Sequence, residues 1–305
     1  MELRHLRYFV AVAEEGSFTR AAARLGMQQP PLSQQLKALE SELGLSLFRR
    51  HTRGVEMTEA GVAFLAEARA ILAGVESGAE RARRVARGEM GALTIGLATS
   101  ASTHRATPGM IAAFRSRFPQ VELSFVEGNA AVLTEAVEAG KADVALIRAP
   151  VARPAGLKFR TLLREPVIAA LAKSHPTAVQ AMRRGAKSIP LTAMRDEAFI
   201  LVRRSGAPGI YGDLVAACRR AGFEPRIVAE VANMFINTTL VAAGVGVSVV
   251  PASMSESHAG LIAYFTITGA GSLGAPLTLV TSERNANPAI IGFQAAALAQ
   301  KRTSP

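Results

Sequence analysis

Several kinds of chemistry are missing from this chain. Its one cysteine, Cys218, excludes an intrachain disulfide framework and fits a reducing compartment. Leu214 and Val215 lie near Cys218 on a predicted helix, so the thiol reads as packing rather than as a nucleophile. The five histidines, His5, His51, His104, His175 and His258, are isolated from one another. With a single cysteine they make no metal-ligand spacing, and no metal or other cofactor is expected. No G-x-S-x-G elbow is present, and no catalytic residue is assigned. One G-x-G-x-x-G string, Gly269-Ala270-Gly271-Ser272-Leu273-Gly274, follows a strand-like run. Pro276 and a further strand come next, whereas a dinucleotide cradle needs a helix N-terminus there. Apolar runs are short. The first is interrupted by Glu14 and Glu15, so no signal peptide is read. The longest, residues 240–252, falls short of the ~20 residues that span a bilayer. A cytoplasmic protein with no membrane partner is expected. No internal repeat or low-complexity segment stands out.

What is present is globular. The chain has 305 residues, 49% hydrophobic and 19% charged, enough for two domains with real cores. The net charge is +11, which favours contact with polyanions. Its distribution limits that inference. Residues 1–90 hold 13 Lys and Arg against 11 Asp and Glu, and the remainder holds 22 against 13. Most of the excess therefore lies outside the N-terminal region, and any nucleic-acid function must rest on a motif.

Residues 17–43 supply one. Ser17 suits a helix N-cap, because its hydroxyl can accept an orphan amide. Ala21, Ala22 and Ala23 allow close helix crossing, and Gly26 ends the helix cheaply in a left-handed conformation. Pro30 and Pro31 fit the first turn of a second helix, where amides have no partner. Leu32, Leu36, Leu39 and Leu43 then form one apolar stripe. The opposite face carries Pro30, Gln34, Lys37 and Ser41, with Ser33 beside it, and Gln29 and Pro31 at the helix start join the expected DNA-contact set. Amides, hydroxyls and one lysine suit base edges and phosphates in a major groove. An ordinary helical hairpin is the plainer alternative. The next residues favour DNA: 47–50 and 55–58 look like two short strands, with His51-Thr52-Arg53-Gly54 as the tip. A basic wing directly after a helix-turn-helix is a winged DNA-binding domain, with Arg53 placed to enter the minor groove.

At this point the chain resembles the LysR-type bacterial transcriptional regulators. The resembling residues are Leu6-Arg7-Tyr8-Phe9, Gly16-Ser17-Phe18, Ala21-Ala22, Gln29-Pro30-Pro31-Leu32-Ser33, Leu39-Glu40, Leu43-Gly44, Leu47-Phe48-Arg49-Arg50 and Thr58-Glu59-Ala60-Gly61. There are two departures. Gln28 stands where the family usually has Ser, which weakens the cap of the recognition helix. Gln34 stands where Arg is frequent.

Leu3, Leu6, Val10 and Ala13 mark a first helix under this hairpin. After the wing, Thr58 can cap a long helix running to about residue 87, with Glu59 in its first turn. Leu65, Ala68, Leu72, Val75, Ala79, Ala82 and Ala86 are spaced as a heptad seam. A lone rod cannot bury such a seam. The functional reading is a dimerisation helix, because two linked recognition helices match a palindromic site. The alternative is packing on the chain's own body.

Gly88 and Gly91 form a hinge. Strands over 93–98, 121–126 and 143–147 alternate with helices over 108–118 and 130–139, which is βαβαβ and a parallel sheet. A second unit has strands over 167–171, 199–202, 227–231 and 245–250, and helices over 211–221 and 235–243. A strand over 277–281 and a helix over 288–301 are expected to return to the first unit. Leu93-Thr94-Ile95-Gly96, Ala243-Gly244-Val245-Gly246 and Val250-Pro251 look like the effector domain of the same family. That resemblance implies an α/β fold with an N-terminal winged helix-turn-helix, a long linker helix and a two-lobed periplasmic-binding-protein-like effector domain. The expected limits are 1–58 for the DNA-binding domain, 59–88 for the linker helix and 91–305 for the effector domain. Lobe I takes about 91–163 and 267–305, and lobe II about 164–266.

Open α/β sheets bind ligands beyond the carboxyl ends of their strands. Thr99, Ser100, Ser102, Asn129, Arg148, Arg203, Ser205 and Asn233 fall at those ends. Hydroxyls, helix starts and arginines together suit an anion; single members of the set also read as ordinary caps. The family resemblance implies a small-molecule inducer, for which a carboxylate is the natural candidate. The expected partners are double-stranded promoter DNA, that effector, a second chain through the linker helix, a homotetramer built from such dimers, and RNA polymerase. A solute-binding sensor whose N-terminal domain only mediates assembly is the competing reading. An enzyme working in the cleft is a third.

Overall fold

The computed structural model describes residues 1–51, 54–148, 154–202, 209–271 and 273–301. The chain divides into two compact units, Met1–Arg84 and Val85–Pro305.

The first unit opens with α1 (Leu3–Glu15), α2 (Phe18–Arg24) and α3 (Gln29–Leu43). Ser17 caps α2 as its sequence suggests, its hydroxyl accepting the Arg20 amide at 3.4 Å. Gln28 precedes α3 without a side-chain cap, as the missing serine implies. Leu32, Leu36 and Leu39 are fully buried, with Leu43 packed at the margin. The stripe expected on α1 is rotated. Its buried face is His5, Leu6, Phe9 and Val12, while Leu3 is exposed. Aromatic packing explains this, because Phe9 contacts both Phe48 and Phe64.

The wing is β1 (Phe48–His51) paired antiparallel with β2 (Gly54–Met57). Glu40 anchors its foot to α3 by accepting the amides of Leu47 at 2.7 Å and Phe48 at 3.1 Å. Then α4 (Glu59–Ala86) begins at the predicted cap, where the Thr58 hydroxyl accepts the Gly61 amide at 2.9 Å. The seam on α4 is split. Leu65, Ala68 and Leu72 pack on the core of this unit, whereas Val75, Ala79, Ala82 and Ala86 are exposed.

The second unit has two lobes. In lobe I, β3 (Met90–Ala98), β4 (Gln120–Gly128) and β5 (Val144–Arg148) pair in parallel. The short α5 (Thr99–Ser102) and α6 (Ala106–Arg117) follow β3, and α7 (Ala130–Glu138) follows β4. The returning β12 (Gly274–Ser282) pairs antiparallel with β5, and α11 (Ala289–Lys301) adds Phe293 to the same core.

Lobe II is entered on β6 (Leu157–Ala172), 16 residues long. Its second half pairs with β10 (Ser248–Pro251) and β11 (Ile262–Thr268). A short β7 (Ser188–Pro190) adds to β11 in parallel, after α8 (Pro176–Arg183). A second pair, β8 (Ala198–Val202) and β9 (Arg226–Val231), is parallel. Between and after them run α9 (Gly209–Arg220) and α10 (Met234–Ala242). Cys218 is buried in the core of this lobe, as predicted. Burial pushes its thiol up to about 11.

Candidate functional site

The exposed face of α3 presents Gln29, Pro30, Pro31, Gln34 and Lys37, with Ser33 half-buried beside them. The hairpin core holds this face outward. Gln35, next in sequence to Gln34, turns inward, where its Oε1 lies 2.8 Å from His5 Nε2. One glutamine therefore braces α3 against α1 while its neighbour stays available. Arg53, the wing residue of the expected set, lies outside the described residues.

The second site is a cavity of about 500 Å³ in the Val85–Pro305 unit, open between the lobes. It sits at the carboxyl ends of β3, β4, β5 and β8, and beside the start of α10. That position is where parallel strands expose loop amides and helix starts. Of the expected residues, Thr99, Ser100, Asn129, Arg148 and Asn233 line it. Ser102 does not, and its hydroxyl instead donates to the Thr99 carbonyl at 2.7 Å. The tight α5 turn folds that side chain back on itself. Arg203 and Ser205 lie outside the described residues.

The two walls differ. Lobe I supplies the polar Thr99, Ser100, Glu127 and Asn129 beside small apolar residues such as Ala131 and Val132, and lobe II supplies the larger apolar Val202, Ile210, Tyr211 and Met234 with Asn233 among them. Asn129 caps α7 by accepting the amides of Ala131 and Val132 at 2.8 and 3.0 Å. Asn233 caps α10 by accepting the Ile236 amide at 3.0 Å. Both asparagines are thus caps and cleft residues at once, and both helices turn their positive ends toward the cavity. Thr99 donates to Glu127 at 3.2 Å. The Tyr211 hydroxyl donates to the Val249 carbonyl at 3.2 Å, and burial pushes its pKa up to about 12. Tyr211 therefore contributes a neutral ring.

Arg148 is in the wall, but its guanidinium is committed within the protein. It pairs with Glu165 and donates to the carbonyls of Ser100 and Ala275. Burial lowers its pKa and Glu165 opposes that shift; an arginine stays charged regardless. His104 is buried close by, and its Nδ1 accepts the Ala106 amide at 3.0 Å. Burial lowers its pKa below the usual histidine value. Sequence reasoning missed the apolar wall and Glu127. Val202, Ile210 and Met234 look like any core residue in sequence, whereas Glu127 sits two residues before Asn129 at the same strand end.

Among the described residues, no cluster of His, Cys, Asp or Glu could hold a metal ion, and no helix is long and apolar enough to cross a membrane.

Two family models match the chain. One, described as bacterial regulatory helix-turn-helix protein, lysR family, covers residues 3–62, and the other, LysR substrate binding domain, covers residues 86–301. The chain is similar to the HTH-type transcriptional regulator BudR of Raoultella terrigena, 40% identical over 84% of this chain and 86% of that one. It is also 40% identical to the HTH-type transcriptional regulator AlsR of Bacillus subtilis (strain 168), over 84% of this chain and 82% of that one. Among solved structures, CbnR, a LysR family transcriptional regulator, superposes with a TM-score of 0.80 at 30% identity, covering 97% of this chain and all of that one. CbnR complexed with its target DNA gives 0.78 at 29% identity, over 99% of this chain and all of that one.

Proposed function

The chain belongs to the LysR family of bacterial transcriptional regulators, and on that premise we propose a cytoplasmic, non-enzymatic regulator that binds a promoter and is switched by a small organic anion. The functional division is 1–58 for DNA, 59–88 for dimerisation and 91–305 for the effector. Two chains join through α4, and two such dimers make a tetramer that contacts RNA polymerase on the promoter. Gln29, Ser33 and Gln34 read base edges, with Pro30 and Pro31 setting the helix start against the duplex. Lys37 meets phosphate, and Arg53 enters the minor groove from the wing.

One observation carries the effector reading. Thr99, Ser100, Asn129 and Asn233, from both lobes, line one cavity at the starts of α5, α7 and α10. A carboxylate is held there by hydroxyls, amides and helix dipoles. Arg148 acts through the Ser100 carbonyl rather than as a free cation. The ligand's remaining carbon skeleton lies against Val202, Ile210, Tyr211 and Met234. Binding shifts the lobes only by its differential affinity for the closed form.

The DNA half is tested with duplex promoter fragments. Gln34→Ala is expected to cost ~1–3 kcal/mol on the cognate site and relax specificity there. Lys37→Ala should weaken binding to all sequences and flatten the salt dependence. A Gln34→Ala protein with unchanged affinity and base preference would displace the recognition helix from this role. Failure of the wild type to bind any duplex would favour the sensor reading. The effector half is tested by a thermal-shift screen of small carboxylates, since a ligand of the folded state raises apparent stability. Ser100→Ala should weaken the response and leave basal DNA affinity nearly intact. A neutral apolar hit, or an unaltered response, would defeat the anion reading.

A further inference from the structure

The chain passes between the lobes on two strands lying side by side. In the antiparallel β6–β12 ladder, Ala275 stands opposite Glu165 and Pro276 opposite Arg164. On one side of this crossing, Leu162 and Leu277 belong to the lobe I core; on the other, Val167 and Ala275 belong to the lobe II core. The crossing is thus the hinge.

One buried ion pair gathers every part of it. Arg148 ends β5 in lobe I, and Glu165 lies on β6; they are 7% and 9% exposed. Arg148 Nη1 donates to the Ala275 carbonyl on β12 at 2.9 Å. Its Nε and Nη2 donate to the Ser100 carbonyl in the cleft turn at 3.2 and 3.1 Å. Glu165 accepts the Ser253 amide at 2.7 Å and the Ser253 hydroxyl at 3.0 Å. Ser253 lies in the 3₁₀ turn Ala252–Met254, which follows β10 in lobe II.

Stability alone is a poor account of this arrangement, because a buried ion pair is often no better than well-packed apolar residues. Its geometry is the more specific property. A planar fork bonded at once to two carbonyls and a carboxylate is satisfied at one lobe angle and loses partners at others. We propose that Arg148, Glu165 and Ser253 form a latch that sets the resting angle between the lobes and ties it to the cleft turn at Ser100. Arg148 is then a positioning residue and not a ligand contact. This goes beyond the effector reading, and because the test uses no ligand, failure of one leaves the other standing.

The experiment measures an intrachain distance in the full-length protein. Spin labels go on the exposed residues Ser116 of α6 and Gln180 of α8, one in each lobe; buried Cys218 stays unlabelled. Labelled chains are diluted into unlabelled ones so that distances within one chain dominate. The parent should give one narrow distance distribution by pulsed electron resonance. The double variant R148L/E165M removes the pair without stranding a charge. It leaves the Ser100 and Ala275 carbonyls and the Ser253 amide without these partners, so the melting point falls; the latch further requires a broadened distribution or a second population in the folded variant. Ser253→Ala removes the hydroxyl's bond to Glu165 and its 3.4 Å contact with Arg148 Nη2 but keeps the backbone amide on Glu165, so it weakens the lobe II end and should broaden the distribution less. It carries the test should the double variant fail to fold. A purely structural pair would move the melting point and leave the distribution unchanged. Folded variants with the parent's distribution would overturn the latch.

Discussion

Gly61 offers a strict test of how the wing is seated. It lies in the first turn of α4, buried against the foot of the wing. A β-carbon there would stand 2.1 Å from the Leu47 carbonyl oxygen and 3.1 Å from the carbonyl carbon. Ordinary carbon–oxygen contacts begin at about 3.3 Å, so helix and wing must part by roughly 1 Å. Both obstructing atoms are backbone, and neither can rotate away. Overpacking of this kind costs ~1–3 kcal/mol, occasionally more. Alanine returns about 1 kcal/mol of helix propensity over glycine. The net expectation for Gly61→Ala is a loss of up to about 2 kcal/mol. In a domain the size of the Met1–Arg84 unit, that lowers the melting point by up to about 16 °C. Gly74 is the control: it lies in the same helix with nothing within 4 Å of an added β-carbon. Gly74→Ala should stabilise by up to about 1 kcal/mol. Thermal and urea unfolding of both variants, followed by circular dichroism, gives the comparison. A promoter footprint should show weaker wing protection for Gly61→Ala alone. If Gly61→Ala melts at or above the parent, the close approach of α4 to Leu47 is wrong.

Three further expectations follow from the same geometry. Glu40→Ala should release the amides of Leu47 and Phe48, costing about 2 kcal/mol and loosening the wing in a footprint; unchanged unfolding would remove Glu40 from that role. Val75, 40% exposed on α4, is a cleaner probe of dimerisation than Leu72, which packs partly on its own unit. Val75→Asp should give smaller particles in sedimentation with little change in melting point, and an unaltered oligomer would place the interface elsewhere. His104 has a folded pKa below its unfolded value, chiefly through burial, so the unfolded chain takes up its proton first. Stability should fall as pH drops below ~6.5, by up to ~1.4 kcal/mol per unit. The fall should be shallower in His104→Asn, which can still accept the Ala106 amide; identical profiles would clear His104.

Local chemistry made much of this fold legible. Ser17, Thr58 and Gly26 marked helix ends that the structure reproduces, and strand–helix alternation revealed the parallel sheet of lobe I. The first half of β6 was missed, because Lys158, Arg160, Arg164 and Glu165 before Pro166 resemble a solvated loop. In fact β12 pairs along it, an assignment only tertiary structure can make. Short β7 and α8 gave too little periodic signal. The start of β10 was placed three residues early. Gly244 still turns there at φ +76°, and the chain then runs close against β8, where Val247 bridges Phe199, before it joins β6 as β10. For the cleft, strand ends exposed its polar side. Its apolar side stayed hidden, and Arg148 read as an available cation because Glu165 meets it only once the hinge is folded.

The hinge has a mechanical consequence. It is neither a loop nor a pair of separate tethers but a short stretch of two-stranded ladder, Arg164–Pro166 against Gly274–Pro276, with a register shift just beyond it between Leu277 and Thr278, where β5 also pairs. Such a ribbon resists extension and sliding, because slipping by one residue would turn every side chain to the opposite face. It is soft chiefly in twist, which in two-stranded ribbons varies widely. Once the Arg148–Glu165 latch gives way, the lobes would counter-rotate about the ribbon's long axis more readily than they slide past one another. A signal leaving the cleft would be delivered as torque.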